Sequence, residues 1–199
     1  MVFTLQVGKE FVSLNATSML GAVLIMAFIR ELSPVITAVI VAGRVGSSFT
    51  AQIATMKVTE QIDVLYILKT DPINHLVAPR VYACILVLPI LNIISFVTSI
   101  FSSILTAFML YGVTPALFFI SSYRLIAYLD LLYSSIKALV FGLLISIVSC
   151  SYGLTAKGGS KGVGQSTTSS VVTSLIFIFI IDFLLSYLMF NSAESILRL

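Results

Sequence analysis

Four long apolar stretches dominate this sequence and restrict what the chain can fold into. They lie at about residues 17–42, 81–101, 131–154 and 167–189, and each is close to the roughly 20 residues that a helix needs to cross a membrane. Hydrophobic residues make up 59% of the chain, above the roughly 45–50% of an average soluble domain. The sequence therefore predicts an all-α, multi-pass integral membrane protein with about four transmembrane helices.

The first apolar stretch contains an adjacent arginine and glutamate, Arg30 and Glu31, followed by Pro34. Ionisable side chains inside a bilayer cost roughly a few kcal/mol or more unless they are paired or hydrated. Three interpretations stay open: the charges line a polar cavity for a lipid or solute head group, they form a structural ion pair between helices, or they lie in a turn. Pro34 is expected to kink one helix because it lacks a backbone donor. The alternative is two spans that join in a tight turn at residues 33–34.

The most hydrophilic part of the chain, residues 57–70, follows this stretch. Val58, Ile62 and Leu65 recur at helical spacing and predict a short amphipathic helix that lies across the membrane surface. Composition alone fits a solvated loop, but exposed Ile62 and Leu65 would favour a docking surface for a soluble partner. The candidate contact residues are Lys57, Glu60, Gln61, Ile62, Asp63 and Leu65.

The remaining segments set the predicted topology. Residues 1–16 are too broken by polar residues to span, and they are expected to be the end of another element or an interfacial segment. Residues 102–130 predict a loop with one surface helix, and residues 155–165 predict a glycine-rich loop. Lysines and arginines concentrate in residues 44–80 and 155–165, which the positive-inside rule places on the cytoplasmic or stromal side.

Two single charges, Lys137 and Asp182, lie inside the third and fourth apolar stretches. Counted at about 1.5 Å per residue from the outer end of each helix, both charges fall at a similar depth of roughly 9–10 Å. A carboxylate at that depth cannot reach the head groups and should contact a cation. The sequence therefore predicts an intramembrane ion pair. The alternative is that Lys137 reaches the head groups alone and Asp182 contacts a serine or water.

Metal, nucleotide and nucleic-acid sites are not expected. His75 is the only histidine, and Cys84 and Cys150 lie apart in apolar stretches, so no metal-ligand set can be assembled. Residues 159–166 approach the spacing of a phosphate-binding loop, but Gln165 replaces the lysine and the segment follows a membrane helix. The net charge of +3 is spread through the loops. The chain is therefore predicted to be no enzyme and to hold no cofactor, and any ATP must be hydrolysed by another chain.

Several motifs resemble those of the MlaE permease family, the membrane subunits of ABC transporters that move phospholipids between membranes. They are RELSP at 30–34, AGRVGSS at 42–48, TMKVTEQIDVL at 55–65 and TDP at 70–72. Ser33 stands where the family usually has glycine, and Gln52 stands where many members have glutamate. The later motif GGSKGVGQSTT at 158–168 is most similar to the cyanobacterial and red-algal plastid branch.

This resemblance implies the protein's organisation, partners and location. Residues 1–199 would form a single permease domain, and two copies would form the transporter core. ABC ATPase subunits would lie beneath this core, and MCE-type lipid-binding subunits would lie on the far side. Family members carry a further span before the point where this chain begins, so a longer functional protein is expected. A plastid membrane is the expected location, with a bacterial inner membrane as the alternative.

The resemblance also implies roles for the residues singled out above. Residues 57–68 would form the coupling helix that seats in the ATPase, with Glu60, Gln61 and Asp63 at the contact. Arg30, Glu31 and Pro34 would belong to the lipid pathway.

Two other classes of protein remain alternatives. A secondary transporter or channel would be expected to show internal pseudo-symmetry and paired broken helices, which the sequence does not show. A non-transporting assembly subunit would have no reason to combine a deep charge pair with an amphipathic cytoplasmic helix.

Overall fold

The computed structural model describes residues 1–14, 16–123 and 128–196. These described residues form helices joined by short connections, and no strand occurs among them. The α-helices are α1 Val2–Ser13, α2 Leu20–Ala27, α3 Ser33–Val41, α4 Ser47–Val58, α5 Gln61–Ile67, α6 Ala78–Tyr111, α7 Pro115–Tyr123, α8 Tyr128–Leu154 and α9 Gly159–Ile196.

Four stretches within the described ranges are long and apolar enough to cross a membrane. They are Leu20–Val58, Ile73–Tyr111, Tyr128–Leu154 and Gly159–Met189. Each contains one of the four apolar stretches of the sequence, apart from a few residues at the start of the first. The prediction of an all-α, multi-pass membrane protein with four spans is therefore confirmed.

The first span, Leu20–Val58, is a continuous helical path that contains two π-helical turns, at Phe28–Leu32 and Ala42–Gly46. Pro34 is the second residue of α3, directly after the first of these turns. A proline inside a regular α-helix removes one hydrogen bond and clashes with the carbonyl four residues earlier. We attribute the π turn to this conflict, because the wider turn gives the backbone the room that the proline ring needs. The alternative of two spans joined by a turn at residues 33–34 is wrong.

Two helices extend further than the sequence predicted. α6 continues to Tyr111, so residues 102–111 are helical rather than part of a loop, and α9 begins at Gly159 inside the predicted loop 155–165. The sequence predicted loops because residues 102–130 contain Gly112 and Pro115 and residues 155–165 contain four glycines, but both helices also carry serines and threonines. In the helices their hydroxyls bond to carbonyls one turn back, as Thr106 does to Ser102 at 2.7 Å and Thr167 does to Val163 at 2.7 Å.

The chain divides into two compact units, each made of two separate stretches of sequence. Unit 1 consists of Met1–Pro34 and Leu91–Ser135, and unit 2 consists of Val35–Ile90 and Ile136–Leu199. The prediction of a single domain over residues 1–199 stays a prediction.

Unit 1 is built on an apolar cluster shared by α2, α6 and α7. Its buried members are Leu20, Leu24, Ile25, Phe28, Ala107, Val113 and Phe118. Helix α1 packs against this cluster through Phe3, Val7 and Phe11, which recur every four residues and so lie on one face. Residues 2–13 therefore form a packed helix, where the sequence predicted the end of another element or an interfacial segment.

Unit 2 is held by apolar packing and by hydroxyl contacts between helices. The main buried cluster comprises Ala38, Val41, Ala42, Leu88, Ala138, Phe141, Leu144, Ile145 and Ile178. Nearer the end of α4, Thr50 Oγ1 donates to the Ser149 carbonyl at 2.9 Å and lies 2.9 Å from Ser170 Oγ. A Cβ on Gly153 would come within 2.8 Å of Ile53, so this glycine permits the close approach of α8 to α4.

Candidate functional site

A charge pair joins the first and third spans inside unit 1. Arg30 Nε donates to Asp130 Oδ1 at 2.9 Å. Arg30 belongs to the π turn Phe28–Leu32, and Asp130 belongs to the first turn of α8, where the helix dipole favours a carboxylate. The Asp130 side chain is 7% exposed and the Arg30 side chain is 33% exposed. The carboxylate is thus buried while part of the guanidinium stays accessible.

This geometry bears on two of the three interpretations of Arg30 and Glu31, the turn and the ion pair between helices. Both residues lie within a helical path, so the interpretation as a turn is wrong. Arg30 forms an ion pair between helices, as the second interpretation expected, but its partner Asp130 was missed. The sequence placed Asp130 at the end of a loop because the apolar stretch was read as starting at residue 131, whereas α8 starts at Tyr128.

An apolar cavity of about 550 Å³ also lies in unit 1. Its lining residues come from α2, α6, α7 and α8 and are Ile25, Phe96, Ile100, Phe119, Ile120, Ser122, Tyr123 and Leu131. None of these described lining residues is charged, and the Ser122 hydroxyl already donates to the Phe118 carbonyl. Such a cavity suits hydrocarbon rather than a polar ligand. The sequence did not reveal it because its walls come from segments far apart in the chain.

The predicted contact between Lys137 and Asp182 is present in unit 2. Lys137 Nζ lies 3.0 Å from Asp182 Oδ1 and donates to Ser186 Oγ at 2.7 Å. The Lys137 side chain is only 3% exposed and that of Asp182 is 16% exposed. The alternative in which Lys137 reaches the head groups alone is therefore wrong.

The predicted surface helix is shorter than expected. Helix α5 covers only Gln61–Ile67, and Glu60 precedes it in the left-handed conformation with φ 61°. This turn separates Lys57, near the end of α4, from Asp63 on α5. Lys57 Nζ nevertheless lies 3.0 Å from Asp63 Oδ1, and both side chains are partly exposed, at 35% and 54%.

The apolar face that α5 exposes is not the one that the sequence predicted. Ile62 is 2% exposed and belongs to a buried cluster with Ile53 and Cys150, so its assignment to an exposed docking face is wrong. Leu65 is half-buried. The large apolar side chains that are exposed here are Val64, Tyr66, Ile67 and Leu68. Helical spacing placed Ile62 and Leu65 on one face, but Val58 belongs to α4, and spacing could not tell that Ile62 packs inside unit 2.

Metal chemistry has no support within the described ranges. No group of three or more histidine, cysteine, aspartate or glutamate side chains there lies close enough to hold a metal ion. The side chains at the sites above can form ion pairs, hydrogen bonds and apolar contacts.

Comparison with known proteins identifies the family. The family model described as Permease MlaE matches residues 1–188. The probable ABC transporter permease protein ycf63 of Pyropia yezoensis is 54% identical over 195 residues, which cover 98% of this chain and 74% of that protein. The probable ABC transporter permease protein slr1045 of Synechocystis is 52% identical over 191 residues, covering 96% of this chain and 73% of that protein.

A third relative is the Arabidopsis thaliana protein TRIGALACTOSYLDIACYLGLYCEROL 1, chloroplastic. It is 47% identical over 198 residues, which cover 100% of this chain and 57% of that protein. The family match and the names of the first two relatives indicate an ABC transporter permease rather than a secondary transporter, a channel or an assembly subunit. This chain belongs to the MlaE permease family and is a multi-pass membrane permease of the ABC transporter type.

Proposed function

We propose that this permease moves phospholipids between membranes and that a separate ABC ATPase drives the movement. The observation that carries the proposal is the apolar cavity of about 550 Å³ in the same unit as the charge pair of Arg30 and Asp130. Its volume lies in the roughly 300–1,000 Å³ range of small-molecule sites. Each methylene group of a lipid chain that the cavity buries would contribute about 0.8 kcal/mol to the free energy of binding. A phospholipid offers both the hydrocarbon and the charge that this unit can bind.

Arg30 is the residue best placed to meet the charged end of such a molecule. Its side chain is one-third exposed, and a planar guanidinium binds phosphate oxygens in a bidentate manner. Glu31 is adjacent on the same π turn, and Pro34 follows that turn. We therefore assign Arg30, Glu31 and Pro34 to the lipid pathway, with Pro34 acting through the shape of the helix.

The ATPase would dock on α5. Val64, Ile67 and Leu68 are 52%, 80% and 67% exposed, and apolar side chains this exposed on a short surface helix favour a partner that covers them. Glu60, Gln61 and Asp63 lie beside them and are exposed, so they supply polar contacts around the apolar residues. Buried Ile62 supports the docking helix from beneath. Lys57 and half-buried Leu65 belong to the edge of this surface.

The other partners follow from family membership. A second copy of the permease would complete the transporter core, and an MCE-domain lipid-binding subunit would receive or deliver the lipid on the far side. The relative from Arabidopsis carries the word chloroplastic in its name, which supports a plastid membrane as the location. A bacterial inner membrane is the alternative, supported by the relative from Synechocystis.

Purification and reconstitution test this proposal. The tagged chain is expressed in its native membrane, and the proteins and lipids that co-purify are identified. The complex is then placed in vesicles with a fluorescent phospholipid, and transfer to acceptor vesicles is followed with and without ATP. We expect an ABC ATPase to co-purify and transfer to depend on ATP. The proposal would be contradicted if no ABC ATPase co-purified, or if the rate of phospholipid transfer were the same with and without ATP.

A further inference from the structure

Residues from three helices meet inside unit 1 at one buried amide, that of Asn92 on α6. Ser33 Oγ on α3 lies 2.7 Å from Asn92 Oδ1 and 2.9 Å from the Asn92 carbonyl oxygen. Asn92 Nδ2 donates to Ser134 Oγ on α8 at 2.8 Å. The three residues Ser33, Asn92 and Ser134 are 2%, 2% and 5% exposed. The two ends of a single side chain therefore connect the first span to the third.

These contacts lie one helical turn from the charge pair. Ser134 follows Asp130 by four residues on α8, the spacing at which residues on an α-helix are neighbours on one face. Ser33 follows Arg30 by three residues, directly after the π turn that contains Arg30. The ion pair of Arg30 and Asp130 connects the first span to α8, and the hydrogen bonds of Ser33 and Ser134 to Asn92 connect them a second time nearby. Sliding either helix by one residue would break its bond to the amide.

The π turn needs these hydrogen bonds to Asn92 to fix its position against α8. Arg30 lies in the π turn Phe28–Leu32, and Ser33 is the residue directly after it. Pro34 cannot contribute a backbone hydrogen bond there, so the backbone alone fixes this turn less firmly than a regular helix. The serine hydroxyls do not need Asn92 for burial, because a serine in a helix can bond to a carbonyl one turn back, as Ser146 does to Gly142 at 2.9 Å. Their orientation toward Asn92 therefore calls for another explanation.

We propose that Asn92 is a positioning residue for the lipid pathway, which holds the Arg30 turn and α8 in the register that forms the Arg30–Asp130 contact. This inference rests on the proposed function, because Arg30 and Asp130 act on lipid only if the chain transports it. Interhelical hydrogen bonds in membrane proteins contribute modestly to stability on average. Removing this amide should therefore disturb the register more than the fold.

The test compares Asn92→Leu with a matched control in the complete transporter. Leucine is similar in size to asparagine but its side chain neither donates nor accepts a hydrogen bond. The control is Thr98→Leu on the same helix, since Thr98 is exposed and its hydroxyl bonds within α6, to the Ser95 carbonyl at 2.9 Å. ATP-dependent transfer of a fluorescent phospholipid should fall about ten-fold or more in Asn92→Leu and should change little in Thr98→Leu. Assembly with the partner subunits should be retained in both variants.

A double-mutant cycle separates positioning from general packing. If Asn92 acts through Arg30, then Arg30→Gln should slow transfer strongly in the parent chain and add little in the Asn92→Leu background. Losses that multiply independently would overturn the proposal. Transfer by Asn92→Leu at the parent rate would overturn it as well.

An exchange variant covers the case in which Asn92→Leu fails to fold. Asn92→Ser combined with Ser134→Asn places the amide on α8 and the hydroxyl on α6, which reverses the pair while keeping its groups. We expect this variant to assemble and to regain most of the transfer rate. An exchange variant that does not fold, or that folds without transfer, would overturn the proposal. Absence of ATP-dependent transfer by the unmodified complex would instead contradict the proposed function.

Discussion

Unit 1 and unit 2 each hold an ion pair among apolar helices, but the two pairs differ in what surrounds them. In unit 2, Lys137 is 3% exposed and contacts both Asp182 and Ser186, next to the tightly packed Ala138 and Phe141. In unit 1, Arg30 is 33% exposed, and a cavity of about 550 Å³ lies in the same unit. One pair is enclosed by protein and the other is accessible on its cationic side.

We propose from this difference that burial, rather than the presence of opposite charges, separates a structural pair from one that binds lipid. A cation enclosed with its partner stabilises the packing and can meet no ligand. A cation that is one-third exposed can contact its partner and also bind a lipid phosphate. The surface pair of Lys57 and Asp63, at 35% and 54% exposure, extends this series to a pair held largely in water.

The largest effect is expected at the enclosed pair. Lys137→Ala removes the ammonium that Asp182 contacts, and breaking a buried pair in this way typically costs about 3–5 kcal/mol. The yield of folded protein and its thermal unfolding midpoint in detergent should both fall. Because the residues contact each other, Lys137→Ala combined with Asp182→Ala should cost less than the sum of the single changes. Additive losses would show that the pair is not a unit.

A smaller effect on stability, with a clear effect on transport, is expected at the accessible pair. Arg30→Gln should lower stability by about 1–2 kcal/mol, because the glutamine amide can still donate a hydrogen bond to the buried Asp130 carboxylate. Phospholipid transfer should fall roughly ten-fold, which corresponds to about 1.4 kcal/mol. The comparison of the two units fails if Arg30→Gln lowers stability as much as Lys137→Ala while transfer per folded complex is unchanged.

The two faces of α5 should respond in opposite ways to the same substitution. Ile67 is 80% exposed, so Ile67→Asp should leave the fold intact and weaken ATPase binding by more than about 1 kcal/mol. Ile62 is 2% exposed, so Ile62→Asp should lower the yield of folded protein instead. Pull-down of the ATPase and the thermal unfolding midpoint distinguish the two outcomes. Unchanged ATPase binding by Ile67→Asp would rule out docking through this face.

The smallest effect is expected at the surface pair. Lys57→Ala should change stability by less than about 1 kcal/mol, since exposed ion pairs contribute little. Thermal unfolding in detergent at low and high salt would measure the change. A loss of several kcal/mol in the free energy of unfolding would mean that side-chain exposure does not predict how much each of the three ion pairs contributes to stability.

The sequence predicted the enclosed pair because depth along a straight helix can be counted. It missed Asp130 because that count depends on where a helix begins, and α8 begins before the apolar stretch does. It missed the burial of Ile62 because periodicity shows that a helix has two faces but not which of them packs on the protein. It marked Asn92 as an irregularity of the second span but gave it no partner, since a hydrogen bond between distant helices leaves no pattern in the local sequence.

The π turns of the first span also change the angular phase of that helix. In an uninterrupted α-helix, Ile36 would share a face with Ile29, seven residues earlier. Ile29 is 2% exposed, yet Ile36 is 47% exposed, while Thr37 and Ala38 are buried at 7% and 0%. Because the turn Phe28–Leu32 holds an extra residue, the buried positions after it fall about one residue, or about 100°, later than α-helical spacing predicts. A helical wheel drawn across the whole span would therefore assign the wrong residues to the protein interior, and deleting one residue from this turn would shift the set of buried positions by about 100°.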